Sequence, residues 1–365
     1  MIGKWTVTAT TILALGAARG HAGIPIDQYV TLSGFGTLGG VYSDYREADF
    51  TGNFSQKRGA GYSRSWSTTP DSKLGAQADV DVGHGFSGVV QVVSKYGSDG
   101  NYDPSIEWAN IKYAFTPDLA VRVGRMLLPT LEWSDSVNIG YTLPWVRIPN
   151  EIRFLNVSTY LDGIDVLYRL HTGAVTHNLQ VQWQQASTEG VFRFHNKDVL
   201  VMTDNLQYGD TSVHLAYQSM NWTFNLPQVA VTGRARLFDA GFTYDPGTWF
   251  VTGDSNYAHY DFLGDNLSWY LSGGVRLGRF TPYVMYSTLS TTANSNFASG
   301  MSAGDGRSVT TGVRWDFARN VDLKLQLQRV RVGTLLAPDE FANLQPGFRV
   351  GDEADVISLA LDFVF

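Results

Sequence analysis

From about residue 29 to the C-terminus, apolar and polar side chains alternate in one segment after another. In Asp355–Phe365, Ile357, Leu359, Leu361, Phe363 and Phe365 fall on one face, and Ser358, Ala360, Asp362 and Val364 on the other. Val321–Gln328 sets Leu323, Leu325 and Leu327 against Asp322, Lys324, Gln326 and Gln328. Leu179–Gln184 sets Leu179, Val181 and Trp183 against Gln180, Gln182 and Gln184. A period of two is the signature of a strand with unlike faces. Soluble sandwiches also alternate, but their strands commonly run about five or six residues. Many segments here run about nine to twelve, the length of a strand tilted across a bilayer. Aromatics collect near their ends, as in Tyr113/Phe115, Trp249/Phe250, Phe280/Tyr283, Trp315/Phe317 and Phe363/Phe365, which predicts interfacial girdles.

The connections also alternate, short then long. Gly83–Gly85, Thr116–Asp118, His171–Ala174, Gly209–Asp210, Asp245–Gly247, Gly278–Arg279 and Arg319–Asn320 are short and built of turn residues. Between them lie long connections, among them Tyr42–Asp71, Pro129–Leu161, Ser290–Gly306 and Gly333–Ala354. That rhythm is expected of an up-and-down antiparallel barrel with tight turns at one rim and extended loops at the other. Sixteen strands are predicted, near 29–41, 72–82, 86–95, 105–115, 119–128, 162–170, 175–185, 197–208, 211–222, 234–244, 248–259, 267–277, 280–289, 307–318, 321–332 and 355–365. The eighth shows no clean alternation across Val199–Tyr208. The predicted fold class is thus all-β, a transmembrane barrel whose lumen is an aqueous channel at this strand number.

Composition narrows the alternatives. The 10 Trp, 18 Tyr and 20 Phe exclude disorder, and the absence of Cys excludes a disulfide scaffold. With 27 basic against 34 acidic residues, a nucleic-acid partner is not expected. After the N-terminus no run of about 18 residues is apolar enough for a spanning helix. Met1–Ala22 carries Lys4, a short apolar core over Val7–Ala18 and the small residues Gly20-His21-Ala22. It reads as a signal peptide over 1–22, leaving a single barrel domain over 23–365.

Several stretches resemble the trimeric general porins of the Gram-negative outer membrane. The chain ends in Phe365 after an alternating strand. Lys73-Leu-Gly-Ala-Gln-Ala-Asp-Val-Asp-Val-Gly-His-Gly-Phe86 resembles that family's second strand and turn, and Val121-Arg-Val-Gly-Arg125 its fifth strand. The family's Pro-Glu-Phe-Gly-Gly motif is replaced by Leu143-Pro-Trp-Val-Arg-Ile-Pro-Asn-Glu-Ile152. The resemblance implies a passive channel, no enzymatic activity, no cofactor, and a homotrimer in contact with outer-membrane lipids and lipopolysaccharide. It also implies that 129–161 is a constriction loop folded into the lumen. The loop's acids would then face basic wall residues across a transverse field that selects small hydrophilic solutes and ions. Lys73 and Arg125 are the wall residues given by the motif match. Arg122, Arg169, Arg314 and Lys324 lie on polar faces, whereas parity alone points Arg125 outward, so its inward placement needs a bulge. The loop supplies Glu132, Asp135, Arg147 and Glu151, with Asp162 at its end.

Each of these residues also has a plainer reading as a solvated lumen charge. Tyr141, Trp145, Phe154 and Tyr160 could stack on a sugar or pin the loop to the wall. His84, His171, His177 and His195 show no metal spacing, and His214 belongs to no visible triad. Gly34-Phe-Gly-Thr-Leu-Gly39 sits inside a strand, so its glycines read as close strand approach rather than a nucleotide loop. The competing functional readings are a substrate-selective channel and a barrel with a blocked lumen and a binding or enzymatic role.

Overall fold

The computed structural model describes residues 23–53, 56–153, 160–188, 193–225, 230–261, 264–293, 305–332 and 340–365. Sixteen strands pair antiparallel, each with its sequence neighbours: β1 Val30–Ser43, β2 Lys73–Gly83, β3 Phe86–Lys95, β4 Ser105–Ala114, β5 Leu119–Leu127, β6 Tyr160–Thr172, β7 Val175–Thr188, β8 Arg193–Tyr208, β9 Thr211–Asn225, β10 Ala230–Tyr244, β11 Trp249–Tyr260, β12 Gly264–Val275, β13 Phe280–Ala293, β14 Asp305–Ala318, β15 Val321–Arg331 and β16 Glu353–Val364. β16 pairs back onto β1, Phe35 opposite Val364 and Ser43 opposite Val356, and the barrel is closed. Closure matters because a strand edge in lipid would leave its backbone groups unpaired. The predicted signal peptide, Phe154 and parts of the loops 129–161, 186–196, 223–233, 260–266, 290–306 and 333–354 lie outside the described residues.

The faces are inverted relative to a soluble barrel. Leu38, Leu74, Ile111, Val123, Trp183, Phe238 and Val284 are exposed on the outer surface. Gln91, Gln182, Asn256, Ser287, Gln326 and Lys324 point inward and are buried. At the short-turn rim, outward aromatics meet in pairs: Phe86–Tyr113, Tyr113–Phe115, Tyr244–Trp249, Phe280–Trp315 and Trp315–Phe317. This is the girdle expected at one interface. Phe250 and Tyr283, assigned to that girdle from sequence, instead face inward and are buried beneath the third loop.

At the seam, the terminal strand locks onto glycines. A Cβ on Gly34 would strike the Phe365 ring, and one on Gly36 the Phe363 ring. The two aromatics lie over bare backbone on β1, which explains both the Gly-Phe-Gly run and the terminal Phe. β8 begins at Arg193, four residues before its sequence-based start, and carries a bulge between Lys197 and Leu200 with Asp198 at φ 51°. Its alternation is blurred because inward Val199 and Val201 join a buried apolar cluster with Leu128, Leu161, Met220 and Trp222. A second bulge, in β4, carries Glu107 beside Trp108 and shifts the register against β3.

Candidate functional site

The third loop turns into the barrel. Its apolar side chains Leu131, Trp133, Leu143, Trp145, Ile148 and Ile152 pack on Phe250, Tyr270, Tyr283 and Met285 of β11–β13. The Trp145 ring meets Trp133 and Tyr270 edge-on at 5.6 and 5.5 Å, and its Nε1 donates to Ser272 Oγ at 2.8 Å. Such packing removes large rings from water and fixes the loop's height in the lumen. Trp145 is therefore fully enclosed, as a loop anchor would be and a sugar-stacking platform would not.

Cations grip the loop's tip from two sides. On one side Lys73 Nζ donates to Val137 O at 3.2 Å, and Lys95 Nζ reaches Asn138 Oδ1 at 3.3 Å and Glu107 Oε1 at 3.0 Å. On the other, Lys324 Nζ donates to Gly140 O at 2.7 Å and Asp362 Oδ2 at 2.8 Å. Arg314 donates to the Tyr141 and Leu143 carbonyls at 2.6 and 3.0 Å and pairs with Asp322 at 3.1 Å. Gly140 is demanded here, because a Cβ would overlap Asp362 and Thr37. Arg147 grips Asp71 with both nitrogens, at 2.9 and 2.6 Å, and reaches Ser358 and Gln328. Two parallel charge-assisted bonds hold that planar group firmly.

The base of the loop meets a different wall. Asp135 lies within electrostatic reach of Arg122 and Asp165. Arg122 Nε in turn donates to Asp165 Oδ2 at 2.8 Å, and Gln180 Nε2 donates to the same oxygen at 2.9 Å. Glu132 accepts from Ser212 at 3.1 Å and Thr252 at 3.4 Å, and its backbone N–H donates to Asp254 Oδ2 at 3.2 Å. Burial pushes Glu132 up to about 7, against hydrogen bonds from Thr243, Ser212 and Thr252 and with repulsion from Asp254. Burial likewise raises Asp135, which Arg122 partly opposes. Glu151, on the short helix Asn150–Arg153, is buried beside Glu340, and burial raises both carboxyls above the ordinary range.

The sequence-based site therefore divides. Lys73, Arg147 and Arg314 hold the loop, while Arg122, Glu132 and Asp135 lie at its base. Arg169 stands on the inner face opposite Asn178, toward the short-turn rim. Arg125 and Asp162 do not enter the lumen. β5 and β6 stay in register, Arg125 opposite Asp162, and the two pair at 2.9 Å on the outer face. No bulge intervenes, so parity decides. The motif match missed Asp71, Asp165, Asp239 and Asp254, all buried inner-face or loop-clamp acids. Parity alone would have placed Asp239 and Asp254 inward. Glu107 owes its place to the β4 bulge, which left no sequence signal.

A closed barrel of this strand number with a loop folded into it defines the porin fold. No family model and no curated protein matches the sequence. Among solved structures the chain is similar to OmpF of Salmonella typhi in complex with daunomycin, at 12% identity and TM-score 0.61, over 94% of this chain and 100% of that one. It is similar to the outer membrane channel DcaP of Acinetobacter baumannii, at 14% identity and TM-score 0.60, over 94% and 100%. The anion-selective porin of Comamonas acidovorans is similar at 13% identity and TM-score 0.58, over 92% and 99%. At such identities the likeness is one of fold.

Proposed function

We propose that the protein is an outer-membrane channel through which small hydrophilic solutes and ions diffuse passively. It carries out no bond chemistry. The observation that supports this most is the pairing of a lipid-compatible outer face with a polar inner face crossed by an anchored loop. A hole through such a barrel selects by size and by the field across it. The tip of the loop is tied to β2–β3 and to β14–β15 at once. That confines passage to the base of the loop and favours a substrate-selective channel over a wide one. The acids there, Glu132, Asp135, Asp239 and Asp254, favour cations.

Residues 1–22 act as a cleaved export signal, and 23–365 form the mature barrel. The channel assembles as a homotrimer through the low side of the barrel. β2–β5 are 9 to 11 residues long, against 13 to 16 for β6–β10. The outer face of β2–β3 carries the small residues Ala76, Ala78 and Gly88, which let flat walls approach. The remaining outer surface contacts lipids and lipopolysaccharide. Planar-bilayer recording of the purified full-length protein tests the channel: discrete conductance steps are expected, and a protein that inserts without conducting would make the blocked-lumen reading the correct one. Unheated gel electrophoresis tests the trimer.

A further inference from the structure

The wall beneath Glu132 holds two acids and, among the described residues, no Lys or Arg paired with them. Asp239 on β10 pairs with Asn256 on β11, and Asp254 stands two residues along β11, opposite Gly241. The two carboxyls are thus diagonal neighbours on one inner face, and both sense Glu132 on the loop. Asp239 is 5% exposed, Asp254 4% and Asn256 0%. Asn256 Nδ2 donates to Asp239 Oδ2 at 3.2 Å, which leaves the amide oxygen facing away from that bond. The Asp239 and Asp254 carboxyls hydrogen-bond to each other, and Asn256 Oδ1 has no donor among the described residues. No Lys or Arg among the described residues forms an ion pair with Glu132, Asp239 or Asp254; His214 Nε2, at 3.7 Å from Asp239 Oδ1, is the nearest basic group. Buried acceptors without donors, and buried carboxylates without a counter-charge, are costly unless a ligand supplies both.

We propose that this cluster binds the guanidinium or primary ammonium group of a permeating organic cation. The reading rests on the channel proposed above, since the lumen is the route to the cluster. The chemistry of the donor set separates an organic cation from a metal ion. No three His, Asp or Glu groups among the described residues lie close enough to share a metal. The acceptors are instead spread over β10, β11 and the loop, as suits a group with several N–H donors. A guanidinium offers its donors in one plane and is weakly hydrated, so it enters a confined polar site at lower cost than a compact ion. Gly241 lets both acids approach the wall, since a Cβ there would sit 3.1 Å from Asp254 Oδ1 and from the Glu132 side chain.

Isothermal titration of the full-length, detergent-solubilised protein tests the site without relying on conductance. The probes are methylguanidinium chloride, its neutral counterpart methylurea, and calcium chloride. Saturable binding of methylguanidinium and none of methylurea is expected. In Asp239→Asn/Asp254→Asn, which keeps the side-chain shapes, methylguanidinium should bind about tenfold more weakly or not at all. Glu132→Gln, on the loop and outside the barrel wall, should weaken it less and serves if the double variant fails to fold. Absence of binding to the natural protein, equal affinity in the variants, or tighter binding of calcium than of methylguanidinium would overturn the proposal. The bilayer recording decides the channel separately, so a conducting protein that ignores methylguanidinium loses the site and keeps its function.

Discussion

The loop's tip and the loop's base sit in the same lumen yet meet opposite chemistry. At the tip, Lys73, Arg314 and Lys324 donate to backbone carbonyls, and the cations on the β14–β15 side are balanced by Asp322 and Asp362. At the base, Glu132 looks onto Asp254 with hydroxyl and backbone donors but, among the described residues, no ion-paired cation. Basic residues on a porin-like wall are therefore not all part of a field that acts on solutes. Those at the tip are consumed in holding the loop. On the channel proposed above, the charge left for a solute to meet lies at the base, on Arg122 and the acids around it.

The largest expected effect comes from removing both regions together. Deleting Glu132–Ile148 should raise single-channel conductance several-fold and admit larger solutes. Unchanged conductance in that variant would show that the loop does not restrict the pore. Breaking the tip alone should act on stability. Lys324→Met leaves Asp322 and Asp362 buried without their shared cation, a loss of the kind that costs about 3–5 kcal/mol. Urea unfolding of the reconstituted protein should show it, whereas Glu132→Gln should shift the midpoint little. Equal destabilisation by both would erase the distinction between clamp and site.

Altering the base should change selectivity. Glu132→Gln/Asp135→Asn should move the reversal potential in a salt gradient towards anions. Glu151→Gln should not, because that carboxyl is buried against Glu340. A shift from Glu151→Gln as large as from the pair would place the field elsewhere. A smaller effect follows from pH. Glu132 ionises only above about 7, so its negative charge is absent at lower pH and appears as pH rises through that value. Cation preference should rise over the same interval and lose that rise in Glu132→Gln. The smallest effect belongs to the outer face. Arg125→Gln should leave conductance unaltered and cost at most about 1 kcal/mol, since its pair with Asp162 is exposed.

Much of this molecule was legible in order of residues alone. Alternation and the short–long rhythm give sixteen strands and their faces, because period, turn chemistry and side-chain polarity are local properties. Parity even assigned Arg125 correctly to the outside, against the motif match. The length of 129–161 marked a loop with a task. What the sequence could not assign was which charges meet. Arg147 and Asp71, Lys324 and Gly140, or Glu132 and Asp254 are far apart in the chain and adjacent only because barrel closure and the apolar packing of Trp133, Trp145 and Ile152 fix where the loop lies. A charged residue on an inner face is a polar residue by its pattern; whether it clamps a loop or faces a solute depends on partners brought in by tertiary contact.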